Sequence, residues 1–279
     1  MSRERLTITL RDDVLKRVDG MVDNMRIRNR SHAIEVLLSR ALSTRSVKHA
    51  VLLAGGKGTR MRPFTYEIPK PMIPVQGRPL IQHIVELLRK YEVSEIVFSV
   101  GYMSDKIREY FGNGSKLGVN ITYVEEDREL GTAGPLNMLR DKLNDTFLML
   151  NGDVLANIDL KDFVSFHDEK KGVATIALTA VHDPSRFGAA RLKGDNILEF
   201  IEKPEAGKEP SNLINAGVYV LEPEVFKYIP KGKAMMEKDV FPKLAKKGKL
   251  FGYHFDGQWF DTGTPESYEN AIKNWRGIQ

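Results

Sequence analysis

The sequence predicts a two-part protein: a small strand–helix–helix unit over residues 1–45, then a larger α/β domain over residues 48–279. Three observations lead there. Short apolar runs at 50–54, 96–100, 119–124 and 146–150 alternate with helical patterns such as 79–91 and 134–143, which is the signature of an α/β sheet protein. The first 45 residues follow a different order, one strand pattern and then two helix patterns. The charge is also divided. Residues 1–48 hold eleven Lys/Arg against six acids, a balance of +5 that equals the net charge of the whole chain, so the remainder is neutral. Such an asymmetry points to a polyanion partner for one segment only.

Composition narrows the function classes. At 279 residues, 42% hydrophobic and 28% charged, the chain is an ordinary globular protein able to bury a proper core. No apolar run approaches the roughly 18 residues of a membrane span, and the start has no signal-peptide apolar stretch, so a cytoplasmic protein without a membrane partner is expected. The absence of cysteine excludes disulfides, thiolate zinc sites and cysteine nucleophiles. The six histidines are scattered, with no pair at metal-ligand spacing.

In the first unit, Leu6-Thr7-Ile8-Thr9-Leu10 alternates apolar and polar, the period of a half-buried strand. Asp12 and Asp13 offer a helix start, and Val14, Leu15, Val18, Met21, Val22 and Met25 follow at helical spacing. After Arg28-Asn29-Arg30, Ser31 can cap a second helix with Ile34, Leu37, Leu38, Ala41 and Leu42 on one face. A lone strand leaves its backbone donors and acceptors unpaired, so this unit should pair with a second copy. Residues 3–44 resemble the ribbon-helix-helix family of DNA-binding proteins, with Arg5 to Leu10 as the match to the ribbon. The resemblance implies a homodimer or higher homo-oligomer whose ribbon enters the major groove of duplex DNA. It places Arg5, Thr7 and Thr9 toward base edges, Leu6, Ile8 and Leu10 toward the core, and the helix start near Arg30 and Ser31 against phosphate. The alternative is a dimerisation module with solvated basic residues; the two separate on the salt dependence of DNA binding. Residues 43–49 read as a short polar linker.

In the second unit an apolar run ending at Leu53-Ala54 empties into Gly55-Gly56-Lys57-Gly58-Thr59-Arg60. A strand running into a glycine-rich turn places backbone N–H groups where they can surround phosphate oxygens. The spacing is neither that of a Walker loop nor that of a dinucleotide fingerprint. Arg60, Arg62 and Lys70 follow, stiffened by Pro63, Pro69, Pro71 and Pro74. Further on come Glu129-Leu130-Gly131-Thr132-Ala133-Gly134, Leu150-Asn151-Gly152-Asp153, Phe200-Ile201-Glu202-Lys203-Pro204, Asn215-Ala216-Gly217-Val218-Tyr219 and Trp259-Phe260-Asp261-Thr262-Gly263-Thr264-Pro265.

In that order these motifs resemble the sugar-1-phosphate nucleotidyltransferases, over about residues 48–272. The resemblance implies a Rossmann-like mixed sheet flanked by helices, with the site at the carboxyl edge of the strands. Short strands near 173–181, 189–201, 214–221 and 250–256 would carry the sugar side. It also implies transfer of a nucleotidyl group from an NTP to a sugar 1-phosphate with release of pyrophosphate. Because a sugar phosphate is already nucleophilic at neutral pH, positioning and charge neutralisation suffice. Mg²⁺ suits that task, taking one or two carboxylates plus phosphate oxygens. By resemblance Asp153 and Asp261 are its ligands. Arg60 and Lys70 serve the triphosphate, Lys203 holds the sugar phosphate, and Glu202, Asn215 and Gly152 face the sugar. Leu53, Ala54, Gly55, Gly56, Gly58, Thr59, Glu126 and Gly131 form the nucleotide site. Lys57 and Arg62 are equally well explained as solvated charges.

Uridylyl and thymidylyl members carry glutamine five residues before the glycine that Gly131 matches, and here Glu126 stands there. A carboxylate only accepts, and guanine presents two adjacent N–H donors, so Glu126 favours guanine. The strings 131–136 and 151–154 are also similar to those of mannose-1-phosphate guanylyltransferases. Two alternatives stay open: a glucose-1-phosphate thymidylyl- or uridylyltransferase, and a DNA-binding regulator that uses the second unit as a sugar-nucleotide sensor. The chain stops soon after Asp261, with a last amphipathic helix including Tyr268, Ile272 and Trp275 and no room for the appended β-helix of longer family members.

Overall fold

The structure is a computed structural model and describes residues 6–23, 27–42, 46–205 and 207–278. The chain divides into two compact units, Met1–Arg45 and Ser46–Gln279.

In the first unit, helix α1 (Asp12–Asp19) opens on Asp12 and Asp13 and closes on Lys16 and Arg17, charges that complement the helix dipole at both ends. Helix α2 (Arg30–Leu42) starts two residues earlier than a helix capped by Ser31 would. Asn29, not Ser31, is its cap, with Oδ1 accepting from the His32 N–H at 2.9 Å. Arg30, expected near phosphate, grips both carboxylate oxygens of Asp19 at 2.7 and 2.8 Å. Val18, Ile27 and Ala33 form a small core flanked by Met21, Val22 and Ile34. Residues 6–10 carry no strand. Leu6 is 77% and Ile8 46% exposed, not core-facing, and Thr7 and Thr9 are exposed as well. The physical reason is that, among the described residues of this unit, no other strand offers a partner for this segment. Leu37 and Leu38, expected on the buried face of α2, are exposed. Arg5 and Met25 lie outside the described residues.

The second unit is built on β1 (His49–Ala54), β2 (Glu95–Val100), β3 (Asn120–Glu125), β4 (Phe147–Asn151), β5 (Val154–Ala156), β6 (Ala174–Ala180), β7 (Gly188–Lys193), β8 (Asn196–Glu202), β9 (Leu213–Leu221), β10 (Leu250–His254) and β11 (Trp259–Asp261). Nine of them form one mixed sheet in the order β3-β2-β1-β4-β9-β6-β10-β8-β7. The first four are parallel, and β9 then runs antiparallel to β4 and to β6. The continuous apolar run of β1 reflects burial on both faces. Ala50, Leu52 and Ala54 pack into one core with Phe98, Leu148 and Leu150, while Val51 packs into the other with Val97, Phe147 and Met149. Helices α3 (Phe64–Glu67), α4 (Leu80–Lys90), α5 (Ser104–Phe111), α6 (Leu160–Lys170), α7 (Phe241–Lys246) and α8 (Pro265–Asn274) complete this unit.

Two expectations are corrected. The stretch 134–143 is not an α-helix but a 3₁₀ segment over Gly134–Leu139, with buried Leu136 and Leu139 three residues apart, the period of that tighter turn. The apolar stretch 189–201 is two strands, β7 and β8, folded back on each other around Gly194, whose φ is +59°. A further two-stranded ribbon lies outside the main sheet: β11 runs antiparallel to β5, opposing Asp261 to Val154.

Candidate active site

A cleft of about 480 Å³ opens at the carboxyl ends of β1 and β4. Leu53, Ala54, Gly55, Gly56, Gly58, Thr59, Arg60, Lys70, Glu126, Gly131, Gly152 and Asp153 all line it, so residues up to about 100 positions apart converge there. Their convergence follows from the parallel order: β4 lies beside β1, and the Gly152 N–H donates to the Leu53 carbonyl at 2.9 Å just where both strands end. A side chain at 152 would place its Cβ 2.5 Å from that carbonyl oxygen, so only glycine lets the two chains meet.

The glycine-rich turn divides its labour. Gly55 lies against the Glu126 carboxylate, where a Cβ would come within 2.7 Å of Oε1. Gly58 takes a left-handed φ of +59° over Lys70 and Thr65, whose Oγ1 donates to the Gly58 carbonyl at 2.9 Å. Gly56 has nothing within 4 Å of where its Cβ would be and faces open space.

Asp153 lies on the cleft wall, and Asp261, although not itself a lining residue, lies beside it. Asp153 precedes β5 and Asp261 ends β11, and the pairing of those strands brings them together. The next residue locks the pair, since both the N–H and the hydroxyl of Thr262 donate to the Asp153 carbonyl, at 3.2 and 2.8 Å. Lys70, only 7% exposed, donates to Asp153 Oδ2 at 2.5 Å. Burial pushes the Asp153 carboxyl up, but the Lys70 ammonium and its hydrogen bond, with Arg60, outweigh it and hold the group below the usual carboxylate range. Asp261 moves the other way: burial and the neighbouring Asp153 charge raise it, against the pull of Lys70, the Gly263 N–H and Arg60. Gly263 lies between Asp261 and Arg60, where a Cβ would meet both. The last residues of this motif are structural. Thr264 and Ser267 form a reciprocal capping box for α8, and Pro265 occupies its first turn.

Of the residues expected on the sugar side, Gly152 lines this cleft, whereas Glu202, Lys203 and Asn215 do not. Glu202 ends β8, half-buried, and burial together with Glu237 raises its carboxyl. Lys203 follows in a left-handed conformation (φ +50°), its N–H donating to Phe187 and its ammonium 3.9 Å from Glu202. Asn215 is committed internally: Oδ1 accepts from the Gly217 N–H and Nδ2 donates to the Tyr219 hydroxyl, closing the irregularity in β9.

Sequence reasoning missed a second loop. Lys233 and Met235 line the cleft, and the backbone around Ala234 is stitched to Leu130, Ala133 and Gly134. Gly131 (φ +78°) makes this possible, since a Cβ there would strike the Ala234 carbonyl at 2.4 Å. Thr132 closes the junction by accepting from the Met236 N–H at 2.9 Å and donating to the buried Glu237 at 2.5 Å. The only local signal was Gly232 between two lysines, too common a pattern to single out.

The Nucleotidyl transferase family model matches residues 49–276. The chain is 39% identical over 224 residues to the mannose-1-phosphate guanylyltransferase of Mycobacterium tuberculosis, covering 78% of this chain and 62% of that protein. It is 38% identical over 228 residues to the mannose-1-phosphate guanylyltransferase catalytic subunit beta of Dictyostelium discoideum, covering 80% and 63%. The chain thus spans a little under two thirds of the length of these curated relatives. Among solved structures it is similar to a Bacillus anthracis protein assigned as a glucose-1-phosphate thymidylyltransferase, with TM-score 0.76, 31% identity and coverage of 83% and 96%. It is also similar to HddC from Yersinia pseudotuberculosis complexed with GMP-PN, with TM-score 0.71, 26% identity and coverage of 82% and 100%. Through residues 49–276, the chain belongs to the nucleotidyl transferase family.

Proposed function

We propose that the second unit is a mannose-1-phosphate guanylyltransferase, joining GTP and mannose 1-phosphate to give GDP-mannose and pyrophosphate. The observation that carries this reading is the meeting of Asp153, Asp261, Lys70 and Arg60 at the end of a strand and glycine-rich turn, with Glu126 on the same cleft. A phosphate oxygen of the sugar 1-phosphate attacks the α-phosphorus of the nucleotide. The bond from that phosphorus to the bridging oxygen breaks, and pyrophosphate leaves with the electron pair. No proton need be removed, so the residues act by placement and charge. Arg60 and Lys70 neutralise the triphosphate, Lys203 the sugar phosphate, and Glu202 and Asn215 border the sugar.

Asp153 and Asp261 fit Mg²⁺. Among the described residues no third His, Cys, Asp or Glu completes a protein-only cage, and Mg²⁺ typically takes one or two carboxylates and leaves its remaining positions to water and phosphate. When bound, the ion supplies charge neutralisation at the phosphates.

Glu126 supports guanine as the base, as do the names of the M. tuberculosis and D. discoideum relatives. The thymidylyl reading has the B. anthracis likeness behind it. Pyrophosphate release measured across GTP, UTP, dTTP, CTP and ATP, each with mannose 1-phosphate and glucose 1-phosphate, tests both. The expected result is turnover highest for GTP with mannose 1-phosphate. Preference for dTTP or UTP with glucose 1-phosphate would replace this reading, and no turnover with any pair would favour a sugar-nucleotide sensor.

For residues 1–45 we propose a dimeric ribbon-helix-helix unit that meets duplex DNA through Arg5, Thr7 and Thr9. The basic balance of this segment and the uncovered Leu6, Ile8, Leu37 and Leu38 support it. Sedimentation should report at least a dimer. Duplex binding should weaken with rising salt along a log–log slope close to the number of phosphates contacted. A chain that ignores duplex DNA at low salt would end the DNA reading. No helix among the described residues is long and apolar enough to cross a membrane, and with no cysteine in the sequence we assign the protein to the cytoplasm.

A further inference from the structure

The acids before Gly131 are crowded in sequence but differ in what holds them. Glu125 accepts from Ser104 Oγ and Arg108 at 2.8 and 2.9 Å. Asp127 is exposed, and Glu129 is 3.9 Å from Lys57 at the surface. Glu126 and Glu129 both line the cleft, and of these two Glu126 has both carboxylate oxygens engaged from the fold: Oε1 accepts from the Ser99 hydroxyl at 2.8 Å and Oε2 from the Leu130 N–H at 3.0 Å.

We infer that Ser99 is the positioning residue that sets the base-reading edge of Glu126. Resting on the reading that Glu126 selects guanine, this inference adds what makes the selection sharp. Ser99 is fully buried on β2, in register with Leu53 of β1 on one side and Val124 of β3 on the other. One strand end therefore anchors Glu126 twice, its N–H to the Val100 carbonyl at 2.9 Å and its side chain to Ser99. The terminal torsion of a glutamate is broad and two-fold, so packing alone does not set the carboxylate plane. One donor would leave the group free to swing about that bond; two donors on different oxygens fix the plane. Gly55, whose missing Cβ would lie 2.7 Å from Oε1, lets the carboxylate seat this deeply. A carboxylate offers about four lone-pair sites. Ser99 and Leu130 take one on each oxygen, leaving one on each for a ligand, which matches the two adjacent N–H groups of guanine. Adenine offers a donor beside an acceptor on that edge, and the acceptor would face an oxygen.

The test is equilibrium binding of GTP and of inosine 5′-triphosphate to the full chain by titration calorimetry in magnesium buffer. Hypoxanthine lacks the 2-amino group and offers one donor in place of two. The native chain should bind GTP about 10- to 100-fold more tightly than the inosine nucleotide, the range for a polar site left with an unpaired group. Ser99→Ala should cut that ratio to about threefold or less. Ser99→Cys, which refills the volume but donates only weakly, should behave the same way, whereas a packing role would be restored by sulfur. If Glu126→Gln abolishes the ratio while both Ser99 variants keep the native value, the positioning role is overturned and the Glu126 reading stands. If Glu126→Gln keeps the native ratio, the guanine reading itself fails.

Discussion

Replacing Gly152 by alanine should loosen the protein by an amount its geometry sets. The backbone at 152 is not left-handed, so alanine meets no dihedral penalty and the effect is purely steric. The new methyl would lie 2.5 Å from the Leu53 carbonyl oxygen and 3.4 Å from its carbon, both main-chain atoms of the interior strand β1 that no rotamer change can move. An ordinary C···O contact is about 3.3–3.6 Å, so the chains must part by roughly 1 Å. That same carbonyl accepts the Gly152 N–H at 2.9 Å, and the separation breaks the bond. Overpacking of this kind costs about 1–3 kcal/mol and the lost hydrogen bond about 1, together about 2–4 kcal/mol. For a unit of this size, about 2–4 °C of Tm per kcal/mol, the drop is about 5–15 °C. Calorimetry of the full chain, following the transition of residues 46–279, measures it. Gly56→Ala is the control: with nothing within 4 Å of the new methyl, Tm should move by less than about 2 °C. A Gly152→Ala protein melting within 2 °C of the native one, or a Gly56→Ala protein melting as early, would refute the steric reasoning.

Thr132→Val removes the acceptor of the Met236 N–H and the donor to buried Glu237 at one stroke, and should cost about 1–3 kcal/mol in a urea titration; a variant as stable as the native chain would mean the two loops are not joined there. Asp153→Asn keeps an oxygen for Lys70 but removes the charge, so pyrophosphate release should fall at least about 100-fold, with a lowered Tm because the buried Lys70 ammonium loses its counter-charge; activity within fivefold of native would remove Asp153 from the metal site. Glu86 concerns pH. Burial raises its carboxyl, but hydrogen bonds from Gln82 and Arg78 at 2.9 Å outweigh burial and set the group below its ordinary value. Its stabilising contribution is therefore complete above the ordinary carboxylate range and lost as pH falls through the lowered value. The Tm gap between native protein and Glu86→Gln should be widest near pH 7, worth about 1 kcal/mol for this partly exposed pair, and should narrow below about pH 4. A gap that stays constant over that interval would contradict the assignment.

How far the sequence carries differs from element to element. The apolar runs at 50–54, 96–100 and 146–150 are legible as strands because burial on both faces leaves no polar alternation to confuse. The run 134–143 misleads, since Leu136 and Leu139, three residues apart, satisfy a 3₁₀ turn as well as a helix over so short a span. Residues 6–10 show the opposite case, a strand pattern with no neighbouring strand among the described residues of the first unit. The ordered motifs single out Arg60, Lys70, Glu126 and Asp153, which the fold brings to one cleft, and Asp261 beside Asp153. The loop at 232–237 is not singled out, because it is joined to residues 130–134 largely through backbone hydrogen bonds at Ala234, which leave no motif in the sequence.

The sequence by itself determined the α/β order, the division near residue 45, the charge split and the family, because these depend on periodicity, composition and local motif. Only the tertiary structure decided which glycines are required by packing, that Asn215 is turned inward, and that Ser99 and Leu130 hold Glu126. Those outcomes rest on distances between segments far apart in the chain, and such distances exist only once the strands have taken their places beside one another.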